Sequence, residues 1–262
     1  MAGALNLGKL IVLFDDNDIC IDGPTGMAVS DDQPARFAAS GWQVQSIDGH
    51  DTDSIATAIE AAQADDRPSM IACKTVIGKG APNKEGTAST HGAPLGDEEI
   101  ALAREAMGWP HGPFEVPDEV LSAWRQAGVR GGEARAIWLE RTAGVDDDFQ
   151  RALSGGLKDG WLDALNAHKA KCSEEKPKWA TRKASGEALA VLTEAIPEMI
   201  GGSADLTGSV NTKTPSTEPV TSSDFSGRYI HYGVREHAMG AVMNGMALHG
   251  GFIPYGGTFL VF

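Results

Sequence analysis

The hydrophobic pattern changes period along the chain, and each change marks an element. Residues 10–14 form a continuous apolar run, of the kind a parallel sheet buries on both faces, and predict a strand that stops at four oxygen-bearing side chains, Asp-Asp-Asn-Asp (15–18). Residues 31–39 open on two Asp and predict a short helix; residues 42–47 predict a strand. Over 53–62, Ile55, Ile59 and Ala62 recur at helical spacing and share one face. Residues 69–77 predict a second buried strand. This strand–helix–strand rhythm predicts an α/β fold, with parallel sheets flanked by helices.

A Gly- and Pro-rich stretch without periodicity follows, residues 78–96, longer than an ordinary connection and therefore expected to be functional or disordered. Helical grammar resumes at 97–107, with Asp97 as the cap and Gly108 as the stop, and again at 116–124. Residues 128–177 read as polar helical segments interrupted by Gly131-Gly132 and by Gly155-Gly156. They predict an interdomain connection: one domain over 1–150, a linker over 151–177 and a second domain over 178–262. Trp124, Trp138, Trp161 and Trp179 are expected to be packing anchors. The second domain should open with a helix near Arg182, and residues 199–209 should run from a strand into a small-residue loop. A short run of β-formers at 228–232, a break at Gly233 and a helix ending at Gly250-Gly251 come next. Among the last aromatic residues, Phe252 is expected in the core.

Composition narrows the class. The chain has 262 residues, 42% hydrophobic and 22% charged, ordinary for a soluble globular protein with one large or two modest domains. Its net charge of −14 would repel phosphate backbones, so nucleic acid and anionic membrane are poor partners. Small anionic substrates stay possible where a site gathers its own basic groups. Cys20, Cys73 and Cys172 form no CxxC pair and no even framework, which suits a reducing, cytoplasmic setting. The apolar run at 10–14 is far too short to span a membrane.

Candidate chemistry sits where the predicted strands end. Glu236 falls in the first turn of a helix just after a strand, the edge of an α/β sheet where ligands bind; a Glu that merely complements the helix dipole would occupy the same position. Asn17 can offer a side-chain carbonyl oxygen and Ile19 a main-chain one to a hard cation, while Asp-Asp-Asn-Asp alone is more often a turn closed by Asx hydrogen bonds. His50, in Asp-Gly-His-Asp (48–51), reads as structural. His91 is a lone loop histidine, and Arg182 lies at a helix start that a bound anion would favour.

Taken together, Tyr-Ile-His-Tyr-Gly-Val-Arg-Glu-His-Ala-Met (229–239) and Thr-His-Gly-Ala-Pro-Leu-Gly (90–96) resemble two signatures of the transketolases. The resemblance implies thiamine diphosphate as cofactor, activated by Glu236, with Mg2+ or another divalent cation held by Asn17 and Ile19. It further implies that His91 lies against the thiazolium and a substrate hydroxyl, that Phe262 stacks on the aminopyrimidine, and that Phe259 lines the same pocket. Arg-Lys-Ala-Ser (182–185) and Gly-Gly-Ser-Ala-Asp-Leu (201–206) resemble the segments that bind the terminal phosphate of a sugar phosphate, through Arg182 and Ser209. Here the chain departs from the family, with Val210 between Ser209 and Asn211. The implied activity is transfer of a two-carbon glycolaldehyde unit from a ketose phosphate to an aldose phosphate, in a homodimer whose sites draw on both subunits. Pentose-phosphate and carbon-fixation roles would use the same residues. The family's Gly-Asp-Gly metal motif is not found in the sequence and would precede residue 1, so the chain reads as an internal segment, expected to turn over little or nothing alone. The alternatives are an inactive remnant or subunit-binding fragment and a related thiamine enzyme, a dihydroxyacetone synthase or, less in keeping with these motifs, a deoxyxylulose-phosphate synthase.

Overall fold

The computed structural model describes residues 1–261. Contacts divide the chain into two compact units, Met1–Arg130 and a second beginning at Gly131. Each is an α/β unit built on a small parallel sheet.

Unit 1 contains β1 (Ile11–Asp16), an antiparallel pair β2 (Ile19–Cys20) and β3 (Gly23–Pro24), α1 (Gln33–Ala39), β4 (Gln43–Asp48), α2 (Thr52–Gln63), β5 (Ser69–Lys74) and α3 (Asp97–Ala106). Its sheet has the order β1-β5-β4, all parallel, with one register throughout: Asp16 pairs with Lys74, and Lys74 with Asp48. The three strands therefore end level. β5 lies in the middle, and all of it except Lys74 is buried, as its unbroken apolar run requires. β1 does not meet that expectation. It is an edge strand within the unit, with Leu13 53% exposed, because an apolar run cannot by itself say whether both faces of a strand will be covered.

α2 lays small residues on the sheet. Ala58 and Ala62 pack with Ile71 and Cys73, backed by Ile11, Ile47 and Ile59. Burying Ile71 completely contributes about 1.5–3 kcal/mol. Asp32 caps α1, its carboxylate accepting from the Ala35 N–H, and Asp51 caps α2 through the Asp53 N–H and the Ser54 hydroxyl. At α3 the cap is Gly96, at φ +85°, and Asp97 is the first helical residue, so the expected Asp cap shifts by one position. Gly108, at φ +63°, follows the last turn as expected.

α4 (Asp118–Thr142) runs straight through Gly131-Gly132, where an interruption was expected. Each glycine costs a helix about 1 kcal/mol relative to Ala, which the Ala, Leu, Arg and Glu around them outweigh. No residue of α4 is buried, and Trp124 is 75% exposed; within this chain it is not a packing anchor.

Unit 2 continues with α5 (Asp147–Leu153), stopped by Gly155 at φ +79°, then α6 (Trp161–Glu175), α7 (Thr181–Ala195), β6 (Met199–Ser203), the single turn α8 (Thr207–Val210), β7 (Tyr229–His231), α9 (Glu236–His249) and β8 (Ile253–Pro254). The sheet order is β7-β6-β8, again parallel. Gly201 and Gly202 in the central strand leave room for two rings: a Cβ at Gly201 would lie 2.1 Å from Tyr255 Cζ, and one at Gly202 2.2 Å from Tyr232 Cε2. Arg228 holds the end of α7, its guanidinium donating at 2.9 Å to the Thr193 carbonyl, which the helix terminus leaves open, and at 2.9 Å to Ser216 O in the stretch between α8 and β7. Arg151 of α5 donates to the Glu198 carboxylate at 2.6 Å and to Gly156 O at 2.8 Å, joining α5 to the entry of β6. Phe252, expected in the core, is 53% exposed.

Candidate functional site

In a parallel sheet every strand delivers its following loop to the same edge, and ligands bind there. In unit 1 that edge carries residues 15–19. Asp18 takes a left-handed φ of +61°, a conformation Asp tolerates, and the chain turns there into β2. Asn17 Oδ1 accepts from the Ile19 N–H at 3.0 Å, the Asx turn that composition alone allows. That bond uses one of the two acceptor sites of the carbonyl oxygen. Asp15 is bonded to Thr75 Oγ1 across the strand ends. Lys74 Nζ lies 2.6 Å from Asp18 and 3.6 Å from Asp16. The Asp18 hydrogen bond, with the charges of Asp16 and Asp18, holds its ammonium above the ordinary lysine range.

Residues 15–19 line a cleft of about 1180 Å³ whose wall also includes His91. Three of the sequence-predicted positions, Asn17, Ile19 and His91, thus meet at one cleft although more than seventy residues separate them. The long loop that delivers His91 is ordered from outside itself. Glu99, in the first turn of α3, accepts from Asn83 N at 2.8 Å and Asn83 Nδ2 at 3.0 Å, and these bonds keep its carboxyl below the usual range. Lys84 Nζ donates to Leu95 O at 2.6 Å. His50 has the structural part expected of it: its Nε2 accepts from the Val76 N–H at 2.9 Å, which places the proton of the neutral ring on Nδ1.

Among the described residues no group of three or more His, Cys, Asp or Glu side chains gathers as a metal-ligand set. The donors at the cleft suit a hard cation that takes few ligands from the protein and the rest from water and phosphate, since the carbonyl of Asn17 and the main chain of Ile19 both offer oxygen.

In unit 2, the loops after β6, β7 and β8 share one edge. β7 ends at His231, Gly233 turns at φ +67°, and Glu236 is the first residue of α9, partly buried. Arg235, just before it, donates to Tyr232 O at 2.9 Å and so fixes the entry to the helix. Ser209 lies inside the turn α8 rather than in an open loop. Arg182 is exposed in the first turn of α7. α7 and α8 meet closely: a Cβ at Gly186, one turn beyond Arg182, would lie 2.9 Å from Asn211 Cβ, two residues beyond Ser209. Phe259 is 38% exposed; Phe262 lies outside the described residues.

Sequence reasoning passed over Tyr229, Thr212 and Ser203. Tyr229 is fully buried, and its hydroxyl meets Thr207 Oγ1 at 2.9 Å and Thr212 Oγ1 at 2.8 Å. The density of threonine between 207 and 221 was the available signal.

Residues 1–153 match the family described as transketolase, thiamine diphosphate binding domain, and residues 177–262 match that described as transketolase, pyrimidine binding domain. A transketolase of Cereibacter sphaeroides is 54% identical over 264 residues, an alignment covering 100% of this chain and 40% of that protein. Among solved structures, the transketolase from Leishmania mexicana superposes with a TM-score of 0.88 at 38% identity, covering 99% of this chain and 39% of that one. A Pichia stipitis transketolase in complex with sedoheptulose-7-phosphate gives a TM-score of 0.82 at 38% identity, covering 99% and 40%. The chain spans about 40% of the length of these relatives.

Proposed function

The chain belongs to the transketolase family, and from that premise we propose that it supplies part of a thiamine diphosphate-dependent site for reversible transfer of a two-carbon glycolaldehyde unit from a ketose phosphate to an aldose phosphate. In this reading residues 1–150 belong to the diphosphate-binding domain, 151–177 to a linker and 178–262 to the pyrimidine-binding domain; the two family matches, over 1–153 and 177–262, support it. A cytoplasmic homodimer is part of the proposal, and no described helix is long and apolar enough to cross a membrane.

Thiamine diphosphate, when bound, supplies the carbon nucleophile and electron sink that amino-acid side chains lack. The chain's own residues bind, orient and move protons. Asn17 Oδ1 and the Ile19 carbonyl would hold Mg2+ beside the diphosphate. His91 would contact the diphosphate side and a substrate hydroxyl. The Glu236 carboxyl would hold a proton at the pyrimidine ring nitrogen. Phe259 and Phe262 would set aromatic faces against that ring, a geometry that adds about 0.5–1.5 kcal/mol to simple burial. Arg182 and Ser209 would bind the terminal phosphate of the sugar, as a guanidinium and a hydroxyl are suited to do.

The observation that carries the reading is the place of Glu236, one carboxylate at the first residue of α9 beyond the end of β7, within a transketolase-like motif. Glu236→Gln keeps the shape and removes the acid. Two-carbon transfer by the intact protein should fall by at least about a hundredfold in this variant, the scale of a lost acid–base group, while thiamine diphosphate still binds. Wild-type turnover by Glu236→Gln would remove Glu236 from this role.

A further inference from the structure

The turn that carries Ser209 is only four residues long, Thr207–Val210, and so short a helix cannot hold itself in water. Its hydrogen bonds are local: Ser209 N and Val210 N donate to Leu206 O, and Asn211 N to Thr207 O, before the chain leaves through Asn211 at φ +54°. What fixes it comes from the three strands of the unit. From β6, Ser203 Oγ accepts from the Leu206 N–H at 3.0 Å and donates to Gly257 O at 3.0 Å. From β7, the Tyr229 hydroxyl reaches Thr207 Oγ1, at the start of the turn, and Thr212 Oγ1, just past its end. From beyond β8, the Tyr255 hydroxyl donates to Thr212 O at 2.9 Å, its ring passing over Gly201. Ser203, Thr212 and Tyr229 are at most 5% exposed, so no water replaces these bonds.

We propose that Tyr229 is a positioning residue for sugar-phosphate recognition: its hydroxyl clamps α8 at both ends, with Thr212 as the shared anchor for Tyr255, and thereby sets Ser209 in place. This rests on the reading that Ser209 and Arg182 bind the terminal phosphate. A hydroxyl that recognises phosphate must be held to within about half an ångström, and a single turn tethered at two points through one phenol meets that need. Tyr229 touches no substrate in this scheme, and its effect passes through Ser209.

Tyr229→Phe in the intact protein keeps the ring and removes both bonds. Hydrogen exchange at the amides of Ser209, Val210 and Asn211 should accelerate on the order of tenfold, as expected for two lost hydroxyl contacts, while β6 amides stay protected. KM for a ketose phosphate should rise about tenfold, with kcat within about twofold, and KM for a ketose donor without a phosphate should not move. Thr212→Val opens the clamp from the other side and should give the same pattern at smaller size, which keeps the test open if Tyr229→Phe folds poorly. Unchanged exchange at 209–211, or equal KM shifts for both donors, overturns the clamp. A wild-type protein indifferent to the donor's phosphate overturns instead the assignment of Arg182 and Ser209.

Discussion

Unit 1 ties its carboxyl-edge loops with carboxylates, whereas unit 2 ties them with buried hydroxyls. Asp15 meets Thr75, Asp18 meets Lys74 and Glu99 meets Asn83; of these, the Lys74 and Asp18 side chains are 56% and 64% exposed. Ser203, Thr212 and Tyr229 of unit 2 are nearly inaccessible. The difference follows from what lies beneath each edge. In unit 1 the three strands end level and place Lys74 between Asp16 and Asp48, so charges meet at the rim where water screens them. In unit 2 the glycines of β6 admit tyrosine rings under the loops, and a phenol brings its hydroxyl into a dry interior, where an unmade bond is costly. Charged ties at an exposed rim are screened by salt, whereas buried neutral ties are not.

The largest effect should come from removing the guanidinium that braces unit 2. Arg228→Ala strips the partners from the carbonyls of Thr193 and Ser216 and should cost roughly 2–4 kcal/mol, read as a lower denaturation midpoint with the slope unchanged. The next effects separate the units by pH. Burial pushes the phenols of Tyr232 and Tyr255 from 10.0 up to about 12. Such a phenol stays protonated in the folded chain after it would ionise in the unfolded one. Its contribution is complete below pH 10.0 and is lost as pH rises to about 12, so denaturation followed across that window should show falling stability, flattened in Tyr232→Phe. The smallest effect lies at the other end of the scale. Asn83 holds the Glu99 carboxyl below its ordinary 4.5, so its contribution is present above that value and is lost as pH falls through the lower, folded one. Exchange protection at residues 80–91 should therefore fade on acidification while α8 keeps its protection, and Glu99→Gln should remove that pH dependence.

Much of this was legible in local pattern. β5 and α2 were visible because an unbroken apolar run and a helical spacing of Ile55, Ile59 and Ala62 each point to one geometry. Glu236 was placed correctly because a strand, a glycine and a helix start fall within eight residues. What escaped depends on partners distant in sequence. Nothing near Leu13 or Trp124 says that their surroundings leave them exposed. Tyr229 and Thr212 are 17 residues apart, and only the folded sheet gives their contact meaning. The cleft was half legible: Asn17 and Ile19 lie two residues apart in one motif, whereas His91 comes from a distant loop that Glu99 ties at Asn83.

Calorimetric titration of the intact protein with thiamine diphosphate at fixed magnesium, comparing wild type with Asn17→Ala, tests the assignment of this cleft most directly. The expected result is saturable binding by wild type and affinity lowered at least about tenfold in the variant, partly recovered at higher magnesium, as for a lost metal ligand. Superimposable isotherms would contradict it, leaving Asn17 as the residue that closes an Asx turn and nothing more.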